Sequence, residues 1–201
     1  MSHSLSDYLR QNRDRFEKEL GEFLAIPSVS TESRHSKDVE RCADWVADHI
    51  RRAGVSSVEI VKTEGKPIVV AEHIVNPDLP TLLVYGHYDV QPVDPVELWE
   101  SPPFEATVRD GCVFARGSND DKGQVHMHIK ALEARLKTGL GMPVNVKLVI
   151  EGEEEIGSVH LEAFLRDNAQ RLACDAVVIS DTGMLGPDIP SIGTGLRGLA
   201  Y

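Results

Sequence analysis

Four short segments of this 201-residue sequence contain residues that commonly bind divalent metal ions. They are His87-Tyr88-Asp89, Asp120-Asp121, Glu153-Glu154-Glu155 and Asp181. Imidazole nitrogen and carboxylate oxygen are usual ligands of zinc and of harder divalent cations. A metal-bound imidazole usually donates its other ring N–H to a carboxylate, so Asp89 is placed to orient His87. The glutamates could supply one metal ligand and one general base for hydrolysis.

Each segment taken alone also has an ordinary structural explanation. Asp120 and Asp121 directly precede a predicted helix, where N-caps and first-turn acids are common. Adjacent glutamates can form a solvated loop, and an aspartate such as Asp181 is frequent in turns. His87 and Asp89 could be loop residues without a shared role. These readings stay open for any single segment.

The order of predicted elements favours a shared site. The predicted strands comprise residues 57–62, 67–73, 82–85, 144–150 and 175–180, and the predicted helices comprise residues 5–25, 36–53, 122–137 and 159–172. Strands alternating with helices indicate a layered α/β domain, with a hairpin predicted around Asp110-Gly111. Three candidate segments directly follow predicted strands, and open α/β sheets bind ligands beyond the carboxyl ends of their strands.

Other motifs are weaker. His126 and His128 resemble a His-x-His metal motif, but that motif needs a strand, and in a helix the two side chains diverge. Residues 193–198 have the glycine spacing of a dinucleotide-binding loop but lack its helix and acidic partner. Trp45 and Trp99 are predicted to be packing residues.

Composition argues against several functional classes. A formal net charge of −11 disfavours nucleic acid and anionic membrane surfaces as partners. No apolar stretch approaches the about 20 residues that span a bilayer, and the N-terminus lacks an apolar signal core. Three widely spaced cysteines, Cys42, Cys112 and Cys174, form no disulfide or metal framework and are predicted to be buried. A cytoplasmic protein is expected.

The segments together resemble the motifs of the M20 metallopeptidases, especially the carnosinase-like dipeptidases. The matching stretches are residues 85–92, with Gly86-His87-Tyr88-Asp89, and residues 99–104, 117–123, 151–158, 179–181 and 195–198. They occur in the family's order from about residue 15 to Tyr201. The resemblance implies a zinc-exopeptidase-like α/β domain, whose mixed, mostly parallel sheet is flanked by helices.

The resemblance also implies a set of metal ligands. Asp120 would bridge two divalent ions, zinc in the first place and manganese or cobalt as alternatives. His87 and Asp181 would complete one metal site, and Glu155 would bind the other ion. The family tends to have a cis peptide after the bridging aspartate, which here joins Asp120 to Asp121.

Two catalytic roles follow from the same resemblance. Asp89 would orient His87, and Glu154 would be the general base. Only Glu154-Glu155-Ile156-Gly157 fits the family's Glu-Glu-x-Gly pattern, so Glu153 is assigned no role.

Family members are about twice as long as this chain. The resemblance therefore implies that residues 1–192 form the N-terminal part of a catalytic domain and that residues 193–201 begin a lid domain. The lid would mediate homodimerisation, and a last histidine past it would bind the same ion as Glu155. No histidine follows His160 in this sequence, so that ion would be short of one protein ligand. The expected reaction is two-metal hydrolysis of an amide bond in dipeptides or small peptides. The alternatives are a deacylase of N-acylated amino acids and a non-catalytic folded fragment.

Overall fold

A computed structural model describes residues 4–186, 189 and 191–195. The strands are β1 (Ser57–Val61), β2 (Ile68–His73), β3 (Thr81–His87), β4 (Thr107–Arg109), β5 (Cys112–Phe114), β6 (Asn145–Glu151) and β7 (Ala176–Ile179). The helices are α1 (Leu5–Gln11), α2 (Arg13–Leu24), α3 (Ser36–Ala53), α4 (Lys122–Lys137) and α5 (Leu161–Asp167). This succession confirms the predicted α/β class. Among the described residues, no helix is long and apolar enough to cross a membrane.

Five strands form one mixed sheet in the order β1-β2-β6-β3-β7. β2 pairs antiparallel with both β1 and β6, whereas β3 pairs parallel with both β6 and β7. Four of the five strands therefore run in one direction, which confirms the predicted mixed, mostly parallel sheet. The carboxyl ends of β3, β6 and β7 consequently meet at one edge. β4 and β5 form a separate hairpin, as predicted around Asp110-Gly111.

Apolar side chains cover both faces of the sheet. Because successive strand residues point to opposite faces, Val69 and Ala71 of β2 join the apolar cluster that includes residues of α3 and α4. Ile68 and Val70 face the other way and pack in a second cluster with Phe164 of α5. β6 lies between β2 and β3 and is buried along its whole length. Strands β3 and β6, which carry two of the candidate segments, are thus held by packing from both sides, whereas β7 is largely exposed.

Two predicted helices are shorter than expected, and an asparagine marks each break. The single helix predicted over residues 5–25 is divided at Asn12, whose side chain donates to the Tyr8 carbonyl at 2.9 Å. The helix predicted over residues 159–172 ends before Asn168, whose side chain donates to the Phe164 carbonyl at 2.9 Å. Asparagine side chains compete for backbone hydrogen bonds, which explains both interruptions.

The cysteines are free thiols, as predicted, but their burial was predicted correctly only for Cys42. Cys112 and Cys174 are exposed. Cys112 begins β5 of the exposed two-stranded hairpin, and Cys174 lies in the connection between α5 and β7. Neither the hairpin nor this connection is packed between two layers, so both thiols remain at the surface.

A buried ionic cluster joins the N-terminal helices to α4. Glu133 is only 3% exposed, and its carboxylate accepts hydrogen bonds from Arg15, from Lys130 Nζ at 3.0 Å and from Tyr8 Oη at 2.8 Å. Burial alone would raise the pKa of the Glu133 carboxyl. The hydrogen bonds from Arg15, Lys130 and Tyr8 outweigh burial and lower this pKa to about 2.

Replacing Glu133 with glutamine is expected to destabilise the fold in a pH-dependent way. A folded pKa below the usual 4.5 means that the charged carboxylate stabilises the fold above that pH. This stabilisation is lost as the pH falls towards the folded pKa. We expect a loss of about 3 kcal/mol in the free energy of unfolding at pH 7 for Glu133→Gln, and a smaller difference at pH 3.

Urea denaturation at the two pH values measures this effect. Glu17 supplies a matched control, because its ion pair with Arg13 lies on the exposed face of α2. Glu17→Gln should change the free energy of unfolding by no more than about 0.5 kcal/mol. An equal loss for Glu133→Gln at pH 3 and pH 7 would contradict the proposed contribution of the charge.

Candidate metal centre

The fold brings the candidate segments to one edge of the sheet. His87 is the last residue of β3, and Asp181 lies two residues beyond the end of β7. A 3₁₀ turn, Glu154–Ile156, follows β6. Asp120 lies just before α4, which packs against β3. Because β3, β6 and β7 are adjacent and parallel, their ends carry these side chains to a common point.

The centre of this group is the Nε2 atom of His87. Nε2 lies 3.0 Å from Asp120 Oδ1 and 3.5 Å from Asp181 Oδ2. Glu154 Oε2 is 4.0 Å away. One ligand atom from each of His87, Asp120 and Asp181 lies within 4.8 Å of the other two. The side chains of Asp120 and Asp181 are 56% and 27% exposed, whereas His87 is fully buried, so the group opens to solvent on its carboxylate side.

The two ring nitrogens of His87 have different surroundings. Nδ1 lies 3.0 Å from the Asp89 carbonyl oxygen and 3.4 Å from Asp89 Oδ1. Nε2 is buried and, although Asp120 Oδ1 lies 3.0 Å away, it makes no hydrogen bond of adequate geometry among the described residues. A proton on Nδ1 would be donated to Asp89 and would leave the Nε2 lone pair facing the carboxylates. This is the arrangement of an imidazole that binds a cation, and the orienting role of Asp89 stays a prediction.

Asp89 also contacts the turn that carries the two glutamates. Its carboxylate is fully buried. Oδ1 accepts a hydrogen bond from the Glu154 backbone N–H at 3.2 Å, and Oδ2 accepts one from the Glu155 N–H at 3.1 Å. One side chain therefore connects the end of β3 to the turn after β6. Sequence reasoning assigned Asp89 to His87 alone, because nothing local to residue 89 indicates a contact 65 residues away.

Glu155 is placed differently from the other predicted ligands. Its Oε2 atom accepts a hydrogen bond from Gln91 Nε2 at 2.5 Å. Glu155 does not belong to the group of three potential ligands found among the described residues. The structure thus brings His87, Asp120 and Asp181 together and leaves Glu155 beside them, held by Gln91.

The pKa values reflect crowding of negative charge. Burial would lower the pKa of His87, but the Asp89 hydrogen bond and surrounding carboxylates outweigh it and raise the pKa to about 10. Burial, together with Asp181, Asp89 and Asp120, raises the pKa of Glu154. Burial likewise raises the pKa of Glu155. Carboxylates this close need protons or a cation, so the donor set and the orphaned His87 Nε2 fit a divalent ion.

Asp121 and Lys122, the two residues that follow Asp120, anchor this part of the chain. Neither role was predicted. Asp121 Oδ2 accepts a hydrogen bond from the His87 backbone N–H at 3.0 Å, and burial raises the pKa of this carboxyl to about 7. Lys122 is fully buried, and its Nζ donates to the carbonyls of Phe23 and Ile26 at 3.1 and 2.6 Å. The peptide between Asp120 and Asp121 is cis, as the resemblance implied.

The competing motifs do not join this group. His126 lies near the Trp45 ring, and His128 Nε2 lies 2.7 Å from Ser180 Oγ, so the two histidines diverge on α4 as predicted. Trp45 stacks on Phe23 at a centroid distance of 4.2 Å, which confirms its packing role. The glycine-rich stretch 193–198 falls partly outside the described residues.

Comparisons with known proteins agree with these features. A sequence model of peptidase family M20/M25/M40 matches residues 83–195. The Cys-Gly metallodipeptidase dug1 of Schizosaccharomyces pombe is 34% identical over 209 residues, which cover 98% of this chain and 44% of that protein. The Beta-Ala-His dipeptidase of Homo sapiens is 35% identical over 208 residues, which cover 96% of this chain and 41% of that protein.

A solved structure extends the likeness to three dimensions. The crystal structure of human carnosine dipeptidase 1 superposes with a TM-score of 0.83 at 34% identity, over 89% of this chain and 40% of that chain. The chain spans less than half the length of the curated relatives it matches. The matched region contains every residue of the group around His87.

Proposed function

The chain belongs to peptidase family M20/M25/M40, and on this premise we propose that it supplies catalytic residues of a metal-dependent hydrolase that cleaves the amide bond of dipeptides or small peptides. The observation that carries the proposal is the orphaned Nε2 of His87, which faces Asp120 and Asp181 at a sheet edge. The names of the relatives, a Cys-Gly metallodipeptidase and a Beta-Ala-His dipeptidase, support dipeptides as substrates.

The proposed cofactor is a pair of divalent ions, zinc in the first place and manganese or cobalt as alternatives. Asp120 would contribute to both ions, His87 and Asp181 would bind one, and Glu155 would bind the other. The hydrogen bond from Gln91 would orient the Glu155 carboxylate for that purpose. Bound divalent ions polarise the scissile carbonyl and lower the pKa of water, which makes water a better nucleophile.

Glu154 is the proposed general base. Its carboxylate reaches within 4.0 Å of His87 Nε2, and its side chain remains 37% exposed, so water can approach it. The pKa of Glu154 is raised above its usual value, in the direction of neutral pH. This suits a group that both takes and returns a proton. Glu154 would take the proton of the attacking water and deliver it to the leaving amine. Asp89 would hold the backbone of this glutamate.

The wider organisation is also part of the proposal. Residues 1–192 would belong to the catalytic domain, and residues 193–201 would begin a lid domain through which the whole protein forms a homodimer. The relatives are more than twice as long as the matched part, which leaves room for such a domain. A cytoplasmic location agrees with free thiols in all three cysteines.

Hydrolysis assays test the proposed reaction. This chain, and any longer form that contains it, should be loaded with zinc or manganese and given Cys-Gly and β-Ala-His. Release of free amino acids would support the proposal. Cleavage of N-acetyl or N-succinyl amino acids in place of dipeptides would replace it with a deacylase. Metal binding without hydrolysis of either class by any form would identify a non-catalytic protein.

Asp89→Asn should weaken metal binding by about 10- to 100-fold. The substitution removes the negative charge beside Nδ1 of His87. It also replaces one of the two oxygens that accept the N–H groups of Glu154 and Glu155 with an amide NH₂, which can only donate. A competition titration with a chromophoric zinc chelator measures the affinity. Asp110→Asn is the matched control, since Asp110 lies in the β4–β5 turn at φ 50°, where asparagine is tolerated. Equal affinities for Asp89→Asn and wild type would contradict the orienting role.

A further inference from the structure

Glu153, which the family pattern leaves without a role, has a buried carboxylate with defined partners on both oxygens. It is 5% exposed. Oε1 accepts a hydrogen bond from the Lys66 backbone N–H at 3.0 Å, and Oε2 lies 2.8 Å from His160 Nδ1. Buried carboxylates are rare unless they are paired in this way. The contacts reach forward to the start of α5 and across to the β1–β2 loop.

The β1–β2 loop, residues 62–67, is a fixed anchor for this carboxylate. Thr63 Oγ1 donates to the Lys66 carbonyl at 2.7 Å and accepts from the Gly65 N–H at 3.0 Å, so the loop is closed on itself. Tyr88 Oη donates to the Pro67 carbonyl at 2.6 Å. The loop is therefore attached to the segment that follows His87, and Lys66 presents its N–H from a stable position.

The backbone has little room to move where it leaves β6. A Cβ on Gly152 would lie 2.4 Å from Tyr88 Oη, so the backbone there is pressed against the tyrosine ring. The next residue, Glu153, is the N-cap of the 3₁₀ turn, and its carbonyl accepts from the N–H groups of Ile156 and Ser158 at 3.1 and 2.8 Å. The direction in which the turn projects is thus set at residues 152 and 153.

Two carboxylates therefore hold the first residues of the turn, each from a different neighbouring segment. Asp89 accepts the N–H groups of Glu154 and Glu155 from the side of β3. Glu153 attaches the start of the turn to the β1–β2 loop. We infer that Glu153 is a positioning residue, which holds Glu154 at the reacting centre and Glu155 beside it through its contacts with Lys66 and His160. This inference rests on the proposed function of Glu154 and Glu155.

Gly65 gives independent support for this contact. A Cβ at position 65 would lie 1.9 Å from Glu153 Oε1 and 2.4 Å from His160 Nδ1. The loop approaches the Glu153–His160 pair so closely that a Cβ at position 65 and the present position of the carboxylate exclude each other. Gly65→Ala would consequently displace the carboxylate end of Glu153 without changing Glu153 itself.

The test compares Glu153→Ala, Gly65→Ala and Glu153→Gln in the metal-loaded protein. Alanine at 153 removes both contacts, and alanine at 65 displaces them, so each should lower kcat at least tenfold while KM changes less than twofold. Glutamine has the same shape, can accept from Lys66 and can donate to His160, so it should restore kcat to within about threefold of wild type. Gly21→Ala is the control, because its Cβ would meet only the Ala106 methyl at an ordinary 3.7 Å.

Amide hydrogen exchange provides a readout that does not depend on activity. The amides of Glu154 and Glu155 should exchange at least tenfold faster in the two alanine variants, whereas the amides of β6 and α4 should not change. Wild-type kcat and unchanged exchange in both alanine variants would overturn the positioning role. If Glu153→Ala does not fold, Gly65→Ala decides between these outcomes. If the wild type hydrolyses no peptide, the proposed function fails, and the exchange rates still decide the role of Glu153.

Discussion

Glu154→Gln is expected to lower kcat by about 10²- to 10⁴-fold, the usual contribution of a general acid–base group, while the protein keeps its metal. Glutamine preserves the shape of the side chain and the backbone N–H that Asp89 accepts. It cannot take a proton from water or return one to an amine. A loss in kcat with little change in KM would place the missing interaction in the transition state.

The control for this variant is a glutamate of similar chemistry away from the sheet edge. Glu97 is exposed in the short 3₁₀ helix Val96–Leu98, and Glu97→Gln should leave kcat unchanged. Metal content, measured by elemental analysis, separates loss of the base from loss of the cofactor. Full activity of Glu154→Gln would rule out Glu154 as the base and would direct attention to Glu155 or Asp181.

Helix bounds were predictable where local chemistry specifies them. α3 ends at Ala53, as expected from Gly54, which adopts φ 114°, and α4 ends at Lys137, shortly before Gly139 at φ 74°. The breaks at Asn12 and Asn168 were missed, because apolar periodicity continues past both residues. In each case one side-chain hydrogen bond to the preceding turn ends the helix.

The proximity of His87 and Asp181 was predictable from a rule about topology. Strand ends carry His87 and Asp181, and the rule that ligands lie beyond parallel strand ends brought them together without knowledge of the strand order. The pairing of β3 with both β6 and β7 is what makes the rule apply here. Residue type and strand position together were sufficient for this part of the site.

The supporting contacts were not predictable in this way. Asp121 accepts the backbone N–H of His87, and Glu153 accepts that of Lys66, across 34 and 87 residues of sequence. Such bonds depend on which loops become neighbours after the sheet has formed. Glu153 shows the consequence most clearly, because the family pattern gave it no role although its burial and partners connect it to the site.

In a form of the protein that holds both ions, Asp120→Ala is expected to reduce bound metal from two ions to fewer than one per chain. If Asp120 contributes to both ions, its loss weakens both sites, whereas Asp181→Ala should remove only the ion shared with His87. Elemental analysis after dialysis against a metal-containing buffer gives the stoichiometry of each variant. Asp78→Ala, at an exposed turn position, is the control and should bind the wild-type amount.

Stability measurements exclude unfolding as the cause of that loss. Asp120 adds negative charge beside Asp121 and Glu154, and it contributes to their raised pKa values. Removing this charge relieves that repulsion but also removes the 3.0 Å contact with His87 Nε2, so metal-free Asp120→Ala should melt close to the temperature of the metal-free wild type. Added metal should stabilise the wild type by about 2.7 kcal/mol at a concentration 100 times the Kd, and should leave Asp120→Ala nearly unchanged. Equal metal-induced stabilisation of the two proteins, or an unaltered stoichiometry, would contradict the bridging role, because a carboxylate shared by two ions cannot be removed without weakening both.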